Sequence, residues 1–249
     1  MNSTNRGSYL VAAGIFLSRI AGLVRQRIFS HYLGISVASE VWNAAFRIPN
    51  FLQNLFGEGA LSASFIPSYS RLLGDGKEEE ARRLAGAILA LLSSTVAVLV
   101  LLGEIATPFL VSLIVPNYTP AMQSQTEVLV RILFPAAGLL VLSAWCLGVL
   151  NSHRKFLLSY AAPVVWNAAI ILTVVLAAAR GTEMHFVIVA AWGAVGGSLL
   201  QILVQWPVVM RVGGAIRPRS WRGVPEVPQV VRSFLPNLIS RGANQISAL

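Results

Sequence analysis

Three arginines, Arg19, Arg25 and Arg27, stand inside the first apolar stretch of the chain, from Tyr9 to Leu33. The next segment places Glu40, Asn43, Arg47, Asn50, Asn54 and Glu58 at steps of three or four among Trp42, Phe46, Phe51, Leu52, Leu55 and Phe56. At about 100° per residue, these six polar positions fall within an arc of about 80° on one helix. A central arginine in a membrane-length helix costs roughly 2.5–3.5 kcal/mol unless it is paired or faces water, so the grouping marks a hydrated cavity in a helical bundle. Its chemistry is recognition by fixed cations, amides and carboxylates rather than bond making.

Other chemistries find no support. There is no phosphate-binding glycine loop of the P-loop type and no Ser/His/Asp grouping, so neither nucleotide-driven work nor covalent catalysis is indicated, and the chain does not read as an enzyme. His31, His153 and His185 lie at helix ends or in loops without ligand spacing to one another or to Cys146, the one cysteine. No metal site and no cofactor is expected, and Cys146 reads as a small buried residue of an apolar helix.

The elements that must hold the arginines are membrane helices. A chain of 249 residues with 55% hydrophobic and only 12% charged residues, and a mean hydropathy of +0.68, has too little charged surface for a soluble globule of this size. Leu84 to Gly103, Ile132 to Asn151, Phe156 to Ala179 and Phe186 to Met210 lack a charged side chain, each over about the 20 residues that a bilayer core demands. They are continuously apolar rather than alternating, which favours an all-α bundle over a closed barrel. Hydropathy predicts helices near 8–33, 37–70, 83–115, 123–150, 156–179, 185–211 and 228–249.

The connections alternate in basic content. On one side lie Arg6, then Arg71, Lys77, Arg82 and Arg83, then Arg154 and Lys155, then Arg211, Arg217, Arg219 and Arg222; the other side has Arg180 alone. This bias predicts a multi-pass membrane protein with its N-terminus in the cytoplasm. These loops and the intramembrane cluster account for most of the net charge of +9. Contact with membrane lipids is therefore the expected consequence, and nucleic acid is not implied. The predicted organisation is a six-helix lobe over 1–211, an interfacial cytoplasmic connector over 212–227, and an incomplete seventh helix over 228–249. The chain stops at Leu249 inside an apolar segment, which reads as truncation.

Pro49 removes a backbone donor within the second helix, and Gly57 and Gly59 flank Glu58, so bends are expected at both places. A hairpin of the first two helices about Gly34 would bring Arg25 to the depth of Glu40 and Asn43, and an Arg25–Glu40 ion pair is predicted. Arg241 in the last segment has Asn237, Asn244 and Gln245 at neighbouring helical steps and is a further candidate for the cavity.

Ser18-Arg19-Ile20-Ala21-Gly22-Leu23-Val24-Arg25, Phe46-Arg47-Ile48-Pro49-Asn50 and Phe56-Gly57-Glu58-Gly59-Ala60 together resemble the MurJ (MviN) family, the lipid II flippases of bacterial cell-wall synthesis. Ser62 to Pro67, Phe134-Pro135 and Asn151-Ser152 fit the family's first lobe as well. The resemblance implies the multidrug and lipid-linked-oligosaccharide exporter fold, with fourteen helices in two pseudo-symmetric lobes around a cationic cavity. This chain would supply the first six helices and part of the seventh, and a missing C-terminal lobe would complete the cavity.

By motif, Arg19 and Arg25 match the family's cavity arginines, Arg47 a basic position, Glu40 an acidic one and Glu58 the glutamate after the Pro-Asn turn. Gln53 and Asn54 depart from the pattern, standing where some members carry arginine. The implied cargo is lipid II, an undecaprenyl-pyrophosphate-linked disaccharide-pentapeptide. The planar fork of arginine suits its pyrophosphate. Substrate contacts are expected from Arg19, Arg25, Asn43, Arg47, Asn50, Glu58 and Arg241, with Glu40 holding Arg25 in place as the lobes alternate access. Three alternatives remain at this point: an exporter of another lipid-linked saccharide, a drug/cation antiporter, and a non-transporting membrane scaffold.

Overall fold

A computed structural model describes residues 3–177 and 181–246. Among the described residues every regular element is helical: α1 (Ser3–Leu33), α2 (Val37–Phe56), α3 (Glu58–Gly74), α4 (Glu78–Ile114), α5 (Pro120–Ser152), α6 (Phe156–Ala177), α7 (Glu183–Val212) and α8 (Val227–Ile246). Local chemistry sets the boundaries. Gly34 turns the chain at φ +52, and Ser36 caps α2 by accepting from the Ser39 amide at 3.3 Å. Thr119 and Thr182 cap α5 and α7 in the same way, and Pro120 occupies the first turn of α5, where a missing N–H costs nothing. Glu78, Glu79 and Glu80 open α4 at the positive end of its dipole. Glu79 there also pairs with Arg82 and Arg83, both at 3.1 Å.

The expected continuous helix over 37–70 is in fact two helices. Pro49 is accommodated within α2, whereas Gly57 ends it. A side chain at 57 would run into the Gln53 carbonyl, so glycine lets the backbone fold closely past its own last turn and restart as α3. Gly57→Ala is expected to cost about 1–3 kcal/mol as an overpacking substitution, read as a lowered thermal unfolding midpoint in detergent.

Among the described residues, four helices are long and apolar enough to cross a membrane: α4, α5, α7 and the Phe156–Leu176 part of α6. Their outer surfaces suit lipid, as at Leu101, Ile105, Phe109 and Leu113 along α4 and Leu172 and Leu176 on α6, all exposed. Within the bundle, α5 is the axis, packed against α2, α3, α4 and α7. With α2 and α3 counted as one broken crossing, the chain runs up and down, and the core divides into two layers. One lies toward the 75–77, 153–155 and 213–226 connections and is built on Phe65, Tyr69, Leu84 and Trp145. The other lies toward the 34–36 and 115–119 turns and is built on Phe29, Trp42, Leu129 and Phe186.

At the end of α5 in the first layer, the Tyr69 hydroxyl and His153 Nε2 are hydrogen-bonded at 3.1 Å. Burial holds the His153 imidazole below its ordinary range; Glu78 opposes this shift and Lys155 adds to it. The folded state therefore favours the neutral ring. Above the ordinary value of 6.5 both states are neutral, and as pH falls through it the unfolded chain takes up the proton first. Thermal stability is expected to drop between about pH 7.5 and pH 5.5 as the imidazole becomes charged in the unfolded chain. His153→Gln should flatten that drop.

Candidate functional site

The amphipathic pattern of α2 becomes the wall of a cleft. Its apolar side, Ala38, Val41, Trp42, Ala45, Ile48 and Leu52 among it, is buried. Glu40, Asn43, Arg47 and Asn54 are exposed on the other side, and Asn50 is half-buried there. The facing wall is α1. Arg25, Asn43, Arg47 and Asn50 converge on one cavity of about 340 Å³, floored by Phe29, Trp42 and Phe46. The floor is a run of ring contacts, Phe29 to Trp42 at 5.0 Å and Trp42 to Phe46 at 5.2 Å between centroids, continuing to Trp166 at 6.3 Å.

Arg25 is held from below. Its guanidinium lies over the Trp166 ring, 4.9 Å from the centroid, and the Trp166 Nε1–H donates to the Ala194 carbonyl at 3.1 Å. This α6–α7 contact exists because Gly193 and Gly197, four residues apart, let α7 approach the Thr173 and Trp166 positions of α6 with no room for a side chain. Arg25 Nη1 is buried and meets no acceptor among the described residues. A buried charged donor in that state calls for an anionic partner.

The predicted Arg25–Glu40 ion pair does not form. The two helices diverge from the Gly34 turn: α1 packs along α6 rather than α2, so Arg25 rests on Trp166, and Glu40 stays exposed near the turn. There the Tyr118 hydroxyl donates to the Glu40 backbone carbonyl at 3.3 Å. Burial, and then the Glu40 carboxylate, raise the Tyr118 phenol above its ordinary range against an opposing pull from Arg47. Among the described residues, ion pairs occur only at the start of α4.

Arg19 is exposed and lines neither this cavity nor the larger one below it. Six residues place it about 120° around α1 from Arg25. Glu58 begins α3 rather than continuing the α2 stripe, and its side chain, like that of Arg241, lies outside the described residues. Asn237, expected beside Arg241, turns back to donate to its own helix at the Ser233 carbonyl, 2.8 Å away. No group of three or more potential metal ligands occurs among the described residues.

Sequence reading missed Trp166, which anchors Arg25. It also missed a second, polar cavity of about 670 Å³ reached by Ser18, Asn54, Ser143, Asn167 and Gln201. A signal for part of it was present: Ser198, Gln201 and Gln205 are spaced three and four apart inside an otherwise apolar helix.

The helical lobe with its arginine cleft has a fold shared with solved membrane transporters. The fold is similar to that of "Outward-facing conformation of a multidrug resistance MATE family transporter of the MOP superfamily", with a TM-score of 0.70 at 16% identity, over 97% of this chain and 52% of that one. It is likewise similar to "Lipid II flippase MurJ, inward closed conformation", with a TM-score of 0.74 at 24% identity, over 96% of this chain and 49% of that one.

The family model described as Lipid II flippase MurJ matches residues 29–249, and the chain belongs to that family. It is 31% identical over 238 residues to the "Probable lipid II flippase MurJ" of Rhizobium meliloti (strain 1021), a match covering 93% of this chain and 44% of that protein. The chain thus spans about half the length of the curated relatives it matches.

Proposed function

We propose that this chain forms the N-terminal half of the cavity of a flippase that moves lipid II from the cytoplasmic to the outer leaflet of the bacterial inner membrane. The observation that carries the reading is the Arg25 guanidinium, pinned on Trp166 with a buried donor that meets no acceptor among the described residues, in a cavity that also holds Arg47. The lipid's pyrophosphate bridges Arg25 and Arg47, and Asn43 and Asn50 supply neutral hydrogen bonds beside it. Arginine forks suit both phosphates, and the aromatic floor keeps the site partly desolvated, which strengthens each contact.

In this reading residues 1–211 make a lobe of six crossings, 212–227 a cytoplasmic connector and 228–249 the start of a further helix. The bias of basic residues toward the 75–77, 153–155 and 213–226 connections supports a cytoplasmic N-terminus. The exposed polar face of α2 is closed by a second lobe, and rocking of the two lobes opens the cavity to each side in turn. Glu40 sits at the outer mouth beside Tyr118 and limits the cation excess there. Arg19 takes no part in binding.

The test is outer-leaflet exposure of lipid II in bacteria depleted of their own flippase and supplied with the full open reading frame that contains this chain. Restored exposure supports the reading. Well-expressed protein that restores none would transfer the proposal to another lipid-linked saccharide.

A further inference from the structure

The polar cavity of about 670 Å³ lies next to the arginine cleft along the same face of α2: Asn50 lines the cleft, Gln53 and Asn54 line this second cavity, and Trp166 forms part of its wall. Among the described residues no charged side chain lines it. Its depth is built from amides and hydroxyls set by a directional chain of hydrogen bonds. The Ser143 hydroxyl donates to Gln205 Oε1 at 2.7 Å. Its single proton is thereby used, so it accepts from Gln201 Nε2, also at 2.7 Å, and Gln201 Oε1 is turned away from the chain. Asn167 Nδ2 donates to the Pro163 carbonyl at 3.0 Å, which likewise leaves Asn167 Oδ1 free.

Both oxygens are buried with no donor among the described residues, on residues only 7% and 5% exposed. Buried acceptors left unmet are destabilising until a donor reaches them. The space is of the size that takes a substantial organic group rather than a single water, whose share of liquid volume is about 30 Å³.

We propose that this cavity is a neutral subsite for the uncharged, hydroxyl- and amide-bearing part of the cargo head, with Asn167 Oδ1 and Gln201 Oε1 accepting hydrogen bonds from it. The inference rests on the reading that the cargo is a pyrophosphate-linked saccharide. The arginine cleft recognises charge common to every such lipid, and the neutral cavity recognises what the pyrophosphate carries. Unpaired acceptors discriminate well, because a ligand lacking the donors leaves them buried and unmet.

The experiment measures affinities of two probes for the protein encoded by the full open reading frame, purified in lipid nanodiscs: lipid II, and undecaprenyl pyrophosphate, which shares the pyrophosphate and the tail but lacks the saccharide. Wild type is expected to prefer lipid II by about tenfold or more, the worth of two hydrogen bonds. Gln201→Leu combined with Asn167→Leu should erase that preference and leave undecaprenyl pyrophosphate binding unchanged. Arg25→Ala should weaken both probes alike and keep the preference. If the double variant fails to fold, Asn54→Ala, at an exposed position on the rim, should still reduce the preference selectively.

Equal affinity of wild type for both probes, or a preference that survives the substitutions, overturns the subsite and leaves the pyrophosphate site standing. Failure of wild type to bind either probe overturns the flippase reading and the subsite with it.

Discussion

Arg25→Ala is expected to lower affinity for undecaprenyl pyrophosphate by about 10- to 100-fold, the worth of one or two hydrogen bonds to a charged group, and to abolish outer-leaflet exposure of lipid II at equal expression. The guanidinium is already positioned over Trp166 with a buried donor free, so little ordering is needed when the anion arrives. Arg25→Lys should recover only part of the loss, since an ammonium neither presents a planar fork nor stacks in the same way. Arg19→Ala separates this site from a general need for positive charge on α1. Arg19 is exposed on another side of the helix, and its loss should leave binding within about twofold, as for a surface charge remote from the ligand. Equal defects in the two alanine variants would place the anion elsewhere.

The polar stripe of α2 was legible in the sequence because a period of three and four among aromatic residues has one physical meaning. The structure brings Asn43, Arg47 and Asn50 to one cavity with Arg25. The four long apolar runs were legible for a similarly simple reason, since length and absence of charge suffice. What failed was inference about how helices meet. Two helices joined by a short turn were read as a packed hairpin, which put Glu40 beside Arg25. Their divergence depends on α1 packing along α6, a contact distant in sequence.

The break at Gly57 was expected only as a bend. Its completeness follows from the close approach to the Gln53 carbonyl, a steric fact invisible in hydropathy. Trp166 was hidden for another reason: a tryptophan in an apolar helix looks like core or lipid contact until the cation above it is seen. The polar residues of the neutral cavity come from separate helices, Ser143 on α5, Asn167 on α6 and Gln201 on α7, and only packing assembles them.

Trp166→Leu carries the second large expected effect, because one ring serves as platform, wall and anchor. Its face supports Arg25, its ring packs at a tilt against Phe46, and its Nε1–H ties α6 to the Ala194 carbonyl of α7. Leucine retains apolar bulk but removes the quadrupole and the donor. A partly desolvated cation–π contact is worth about 2 kcal/mol, so affinity for undecaprenyl pyrophosphate should fall by about 10- to 30-fold. Trp166→Phe keeps a ring face and should retain most of the affinity while giving up the link to Ala194. The decisive comparison is the double variant. If Trp166 acts by holding Arg25, adding Trp166→Leu to Arg25→Ala should weaken binding little further, a strongly non-additive cycle. Additive losses would mean that the ring contacts the lipid directly and that Arg25 is positioned by something else.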